Sequence, residues 1–155
     1  MIRLATIEDV EAINIIRKEV NDMHVEAEPA LFKSGWPKEL QDSVISYIES
    51  DNCNVLVCEN NDIIYGYVMI KVVEKPESIH CKALRFLKAE ELGVKSGLRG
   101  RGYGRELIEG LKTYAKGKGF DRVELDMWAF NEGAEKFYEK LGFETYRKFM
   151  RLILD

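Results

Sequence analysis

The chain has 155 residues, 46% hydrophobic and 32% charged, with 23 Lys and Arg against 27 Asp and Glu. That length suits one domain with its own core, spanning residues 1–155, and the apolar content excludes disorder as the main state. No apolar run approaches the ~20 residues that a bilayer requires, and a net charge of −4 argues against a nucleic-acid coat. The first residues turn charged at once and show no signal-like stretch, so the expectation is a cytoplasmic protein that binds neither membrane nor nucleic acid.

Ile2–Leu4 reads as a short strand, and Thr6-Ile-Glu-Asp9 as a helix start with a hydroxyl cap and acids in its first turn. Val10, Ile13, Ile16 and Val20 recur at helical spacing, which predicts a first helix to about Met23. The segment from His24 to Lys38 carries Leu31, Phe32 and Trp36 and reads as a long binding loop. A second helix is predicted from near Pro37 to near Ser50, since proline suits a first helical turn.

Asn54–Glu59 and Ile63–Val73 read as a hairpin around Asn60-Asn-Asp62. Lys82–Val94 is a further predicted strand. A third helix follows the glycines at 97, 100, 102 and 104, with Leu107, Ile108, Leu111 and Ala115 on one face. Val123–Met127 is predicted as a strand, Glu132–Leu141 as a short helix, and Phe143–Leu154 as a final strand whose exposure would suit a homodimer. The order β-α-α-β-β-β-α-β-α-β implies a single α/β domain. Its sheet is mixed and largely antiparallel, flanked by helices, with one parallel pair across the third helix.

Cys53, Cys58 and Cys81 form no metal-like or disulfide pattern, and His24 and His80 are the only histidines. A metal site is not expected, and a hydrolase built on a histidine base is a poor fit. The most informative stretch is Arg99-Gly-Arg-Gly-Tyr-Gly104, between a strand and a helix. Close glycines let backbone N–H groups approach a ligand, and at a helix start those groups form an anion site. Lys95, Arg99, Arg101 and Arg105 add four cations to that turn with no acid among them, which suits a pyrophosphate. The spacing fits neither a Walker A loop nor a G-x-G-x-x-G dinucleotide turn.

This turn resembles the Q/R-x-x-G-x-G/A motif of the GNAT family of N-acetyltransferases. Leu92-Gly-Val94 looks like the end of that family's fourth strand, and Asn131-x-x-Ala134-x-x-Phe137-Tyr138-x-x-Leu141-Gly142-Phe143 is similar to its second hallmark. Ser96 stands where the family often has proline. The resemblance implies transfer of an acetyl group from acetyl-CoA to a small-molecule or peptide amine by direct attack. The alternative is a non-catalytic acyl-CoA sensor. It further implies that amides of Arg99, Gly100, Arg101, Gly102, Tyr103, Gly104 and Arg105 hold the pyrophosphate. Val94, Lys95 and Ser96 would meet the pantetheine arm, with the Val94 N–H polarising the thioester carbonyl. Asn131 would touch the cofactor, and Tyr138 would protonate the leaving thiolate.

Transfer also needs a proton acceptor near the thioester. Glu90 and Glu91 precede Val94 on its strand, where neighbours point to opposite faces; Glu91 is the chosen base. Glu124, Asp126 or a relayed water are further candidates. Seven acids against two cations between Glu8 and Glu28 suggest an acidic acceptor side, with Glu26, Glu28, Phe32 and Trp36 binding a cationic amine that has an apolar part.

Overall fold

A computed structural model describes residues 1–154 of the chain. Strand β1 spans Ile2–Leu4, helix α1 Val10–Ala27, α2 Lys38–Ile48, β2 Cys53–Asn60, β3 Ile63–Lys75 and β4 Leu84–Val94. Helix α3 covers Tyr103–Gly117, β5 Val123–Leu125 and α4 Glu132–Lys140. The five strands lie in chain order in one sheet, antiparallel except for β4 and β5. The expected element order therefore holds through α4. The predicted final strand does not form: from Phe143 to Leu154 no residue enters the sheet.

Alternation along the strands divides the core into two layers. Leu56, Cys58, Val68 and Ile70 face α3, where they meet Leu107, Ile108 and Leu111. Val55, Val57, Tyr67 and Met69 face α1 and α2, where they meet Ile13, Ile16 and Val44. Burying each such aliphatic side chain contributes about 1.5–3 kcal/mol. Gly66 is required at the centre of the sheet, because a Cβ there would lie 2.8 Å from the carbonyl oxygen of Gly93.

Two irregularities prepare the site. β4 and β5 pair only at Leu87–Val123, Lys88–Glu124 and Ala89–Leu125 and then part, so the last residues of β4 have a free edge. At the same level β4 carries a bulge: Met69 lies opposite Glu91 and Ile70 opposite Ala89, so Glu90 is extra. A bulge breaks side-chain alternation. Glu90 and Glu91 consequently both approach the α1–α2 layer, and both help hold the Tyr47 phenol up at about 12, behind the larger effect of burial. The expectation that they point to opposite faces is corrected by this one residue.

Candidate active site

The glycine turn follows β4 directly. Gly97, Gly100 and Gly102 have φ of +76°, +76° and +94°, a left-handed region that glycine enters without Cβ strain. Gly102 caps α3, so the N–H groups of Tyr103, Gly104 and Arg105 have no acceptor within the helix. Among the described residues, those of Arg99 through Gly102 donate to no backbone oxygen either. Among the described residues, Lys95, Arg101 and Arg105 form no ion pair. Arg99 instead folds back, donating from Nε to the Val94 carbonyl at 3.1 Å and approaching the Met23 sulfur at 3.0 Å. The Tyr103 ring packs on Tyr65 at 4.8 Å, and Gly104 lets α3 come close to Phe137.

The three residues expected to meet the pantetheine arm differ. The Lys95 N–H is bonded to the Tyr65 carbonyl at 2.9 Å. By the alternation of an antiparallel ladder, the Val94 N–H then faces away from β3, into the opening beside β5. The Ser96 N–H and hydroxyl are held by the Glu19 carboxylate at 2.7 and 3.0 Å. The amides of Lys95 and Ser96 are thus committed within the chain, and only Val94 keeps its N–H on the open side.

Asn131 caps α4, its Oδ1 accepting from the Ala134 N–H at 3.2 Å. Tyr138 lies on α4 with its ring edge-on to Phe137 and Phe143, and burial pushes its phenol above the ordinary 10.0. Cys58 is buried and raised to about 11 by burial, so its thiol is held in the unreactive form.

Glu91 is bound to Arg17, which donates from Nε to one carboxylate oxygen at 2.8 Å and from a terminal nitrogen to the other at 2.9 Å. Tyr67 donates its hydroxyl to the same carboxylate at 3.2 Å. The Arg17 side chain is 2% exposed and also bonds the Leu40 carbonyl, Asn14 and Ser43. Burial works against its charge, yet Glu91 holds its pKa above the usual arginine value. A carboxylate clamped on both oxygens by a permanent cation is a poor proton acceptor. The remaining carboxylate candidates are also engaged: Glu90 and Asp126 with Lys88, and Glu124 with Arg122 and Tyr146.

His24 is the residue that the sequence reading passed over. One side of α1 crosses the end of β4: Val20 lies against Gly93, Glu19 holds Ser96 and Met23 meets Arg99. One turn further, His24 reaches the β5–α4 loop, its ring 5.7 Å from Phe130 and 5.2 Å from Phe32. Its Nδ1 lies 2.7 Å from the Val20 carbonyl, which can only accept, so Nδ1 carries the proton. Among the described residues Nε2 has no partner. The available signal was a histidine at the end of an amphipathic helix, beside a loop rich in aromatics.

The predicted acceptor residues do not converge. Phe32 packs on His24 and, at 5.0 Å, on Trp128. Trp36 lies under the Arg17 guanidinium at 5.5 Å and, with Phe32, lines a hollow of about 790 Å³ at the α1–α2 connection. Glu26 and Glu28 are not part of that hollow, and Glu28 is paired with Arg151 at 2.8 Å. Three of the seven acids of this front are paired, Asp9 with Arg3, Asp22 with Lys18 and Glu28 with Arg151.

A model of the acetyltransferase (GNAT) family matches residues 17–143. An uncharacterized N-acetyltransferase of Methanocaldococcus jannaschii is 35% identical over 102 residues, 63% of this chain and 42% of that protein. N-alpha-acetyltransferase 80 of Mus musculus is 32% identical over 83 residues, 53% of this chain and 23% of that protein. The chain therefore spans less than half the length of these curated relatives. Among solved structures, a point mutant of the BH1408 protein from Bacillus halodurans superposes with a TM-score of 0.94 at 28% identity, covering 99% of both chains. The aminoglycoside N-acetyltransferase AAC(6')-Iy in complex with CoA shares the fold, with a TM-score of 0.77 at 17% identity over 99% of this chain and 93% of that one. With the glycine turn, the parted strands and the Asn131–Phe143 helix in one site, the chain belongs to the GNAT acetyltransferase family.

Proposed function

We propose that the protein transfers an acetyl group from acetyl-CoA to a primary amine by direct attack within a ternary complex. The observation that carries this reading is the turn from Arg99 to Arg105. Among the described residues, it offers a run of N–H groups without an acceptor and cations without an acid partner at the start of α3, beside the parted ends of β4 and β5. That combination suits a pyrophosphate followed by an extended, amide-bearing arm.

In this reading the Val94 N–H stabilises the negative charge that develops on the thioester oxygen. The His24 Nε2 takes a proton from the acceptor ammonium, and the freed nitrogen lone pair attacks the carbonyl carbon. As the C–N bond forms and the C–S bond breaks, Tyr138 donates its proton to the leaving thiolate, and the second proton shed by the new amide nitrogen returns to the Tyr138 phenolate through water. Burial, which raises its phenol, keeps that proton on until it is needed. Glu91 holds Arg17 rather than accepting a proton. Phe32, Trp36 and Trp128 provide an apolar wall for the acceptor, and Asn131 orders the helix that carries Tyr138.

Calorimetric titration with acetyl-CoA, followed by CoA-thiol release with a panel of peptides, polyamines, amino acids and aminoglycosides, tests the proposal. Saturable binding with acceptor-dependent thiol release is expected. Absence of acetyl-CoA binding would overturn the cofactor reading, and binding without turnover of any amine would overturn the catalytic one.

A further inference from the structure

Aromatic rings from remote parts of the sequence meet beside the end of α1. His24 stands in the last turn of that helix, Phe32 in the α1–α2 connection, and Trp128 and Phe130 in the β5–α4 loop. Their contacts close a circuit: His24 to Phe32 at 5.2 Å, Phe32 to Trp128 at 5.0 Å, Trp128 to Phe130 at 6.3 Å, and Phe130 back to His24 at 5.7 Å. These rings belong to neither layer of the core, and Trp128 and Phe130 stay 44% and 38% exposed. Phe32 has a second neighbourhood. With Trp36, Pro37 and Leu40 it walls the hollow of about 790 Å³, a volume within the ordinary range for a small-molecule site. The hollow therefore begins at the ring that packs against His24.

Its charge is as informative as its shape. Among the described residues that line it, Glu39 and Lys33 are the charged pair, and they offset each other. Arg17 lies behind Trp36 at 5.5 Å, but Glu91 matches its charge, so the pair offers a polycation no net attraction. Glu26 lies outside the hollow and Glu28 is taken by Arg151. A polycationic acceptor would meet few carboxylates here. Aromatic faces instead attract a single ammonium and an apolar group together.

We propose that the acceptor is a monocationic primary amine with a bulky aromatic or branched apolar group close to its nitrogen. Phe32 is the specificity-determining side chain, its ring standing between the reacting amine and the hollow that takes the apolar group. This inference rests on the acetyl-transfer reading and names the substrate class of that same site. A small arylalkylamine and a peptide whose first residue is bulky and apolar both present this chemistry.

Trp36 and Trp128 are the two tryptophans of the chain, so intrinsic fluorescence reports binding here without turnover. The protein, with and without CoA, is titrated with phenethylamine, a peptide beginning with phenylalanine, propylamine, spermidine and neamine. Phenethylamine or the peptide should bind at least about tenfold more tightly than the other three, and the tighter of the two identifies the source of the group. In the CoA-thiol assay kcat/KM should rank the amines in the same order. Phe32→Ala should reduce that preference to less than about threefold and Phe32→Leu should retain it, with acetyl-CoA affinity unchanged by calorimetry in both. Spermidine or neamine bound as tightly as phenethylamine, or a preference that survives Phe32→Ala, would overturn the proposal. Failure of acetyl-CoA to bind would instead overturn the transfer reading, while the fluorescence ranking still reports on the hollow itself.

Discussion

Replacing Glu91 by Gln separates a structural carboxylate from a catalytic one. The change removes the negative partner of a guanidinium whose side chain is 2% exposed, and leaves one amide oxygen where two carboxylate oxygens stood. Breaking a fully buried pair costs about 3–5 kcal/mol. Glu91 itself is 37% exposed, so water screens part of the interaction, and Arg17 keeps its bonds to Leu40, Asn14 and Ser43. The expected loss is therefore about 2 kcal/mol. At about 2–4 °C per kcal/mol for a domain of this size, the melting temperature should fall by about 4–8 °C. Urea denaturation should show a lower midpoint at unchanged m-value, and kcat with the best acceptor should change less than about threefold, because no proton passes through Glu91. A kcat lowered by about 10²-fold or more at unchanged stability, the signature of a lost general base, would refute the reasoning.

His24→Gln should lower kcat by about 10²-fold while leaving acetyl-CoA affinity unchanged, measured by steady-state kinetics beside calorimetry; an unaltered kcat returns the base role to water. Tyr138→Phe should lower kcat more than acetyl-CoA affinity. Since burial raises the phenol above 10.0, the wild-type rate should show no alkaline fall from this group below that pH. Asp9→Asn tests the pair that closes the start of the first helix. Arg3 and then the Thr6 N–H hold the Asp9 carboxyl below its ordinary value, against burial. The stabilisation is therefore present at neutral pH and is lost as pH falls through the depressed value. The variant should be about 1–2 kcal/mol less stable at neutral pH and nearly equal to wild type in strong acid, by chemical denaturation at both.

Element identities were legible wherever the signal is local. Helical spacing of Leu107, Ile108 and Leu111 predicts α3, and the left-handed glycines that open it carry their conformational reason in their chemistry. The final strand was misread from an equally apolar run, because a strand exists only where another backbone answers it. None does so among the described residues. The site was half legible. The anion turn is contiguous in sequence, whereas the proton chemistry depends on groups brought together from remote positions.

By itself, then, the sequence determined the order of elements through α4, the family and the glycine turn that opens α3, since periodicity, caps and glycine conformations act over a few residues. Only the tertiary structure decided which of these residues are free to react. A one-residue bulge at Glu90 turned both acids to one side of the sheet. Arg17, 74 positions away, then bound both oxygens of Glu91, and the packing of α1 against the β5–α4 loop set the His24 ring beside Phe130. Such choices rest on long-range pairing of charges and aromatic rings, and no local pattern encodes them.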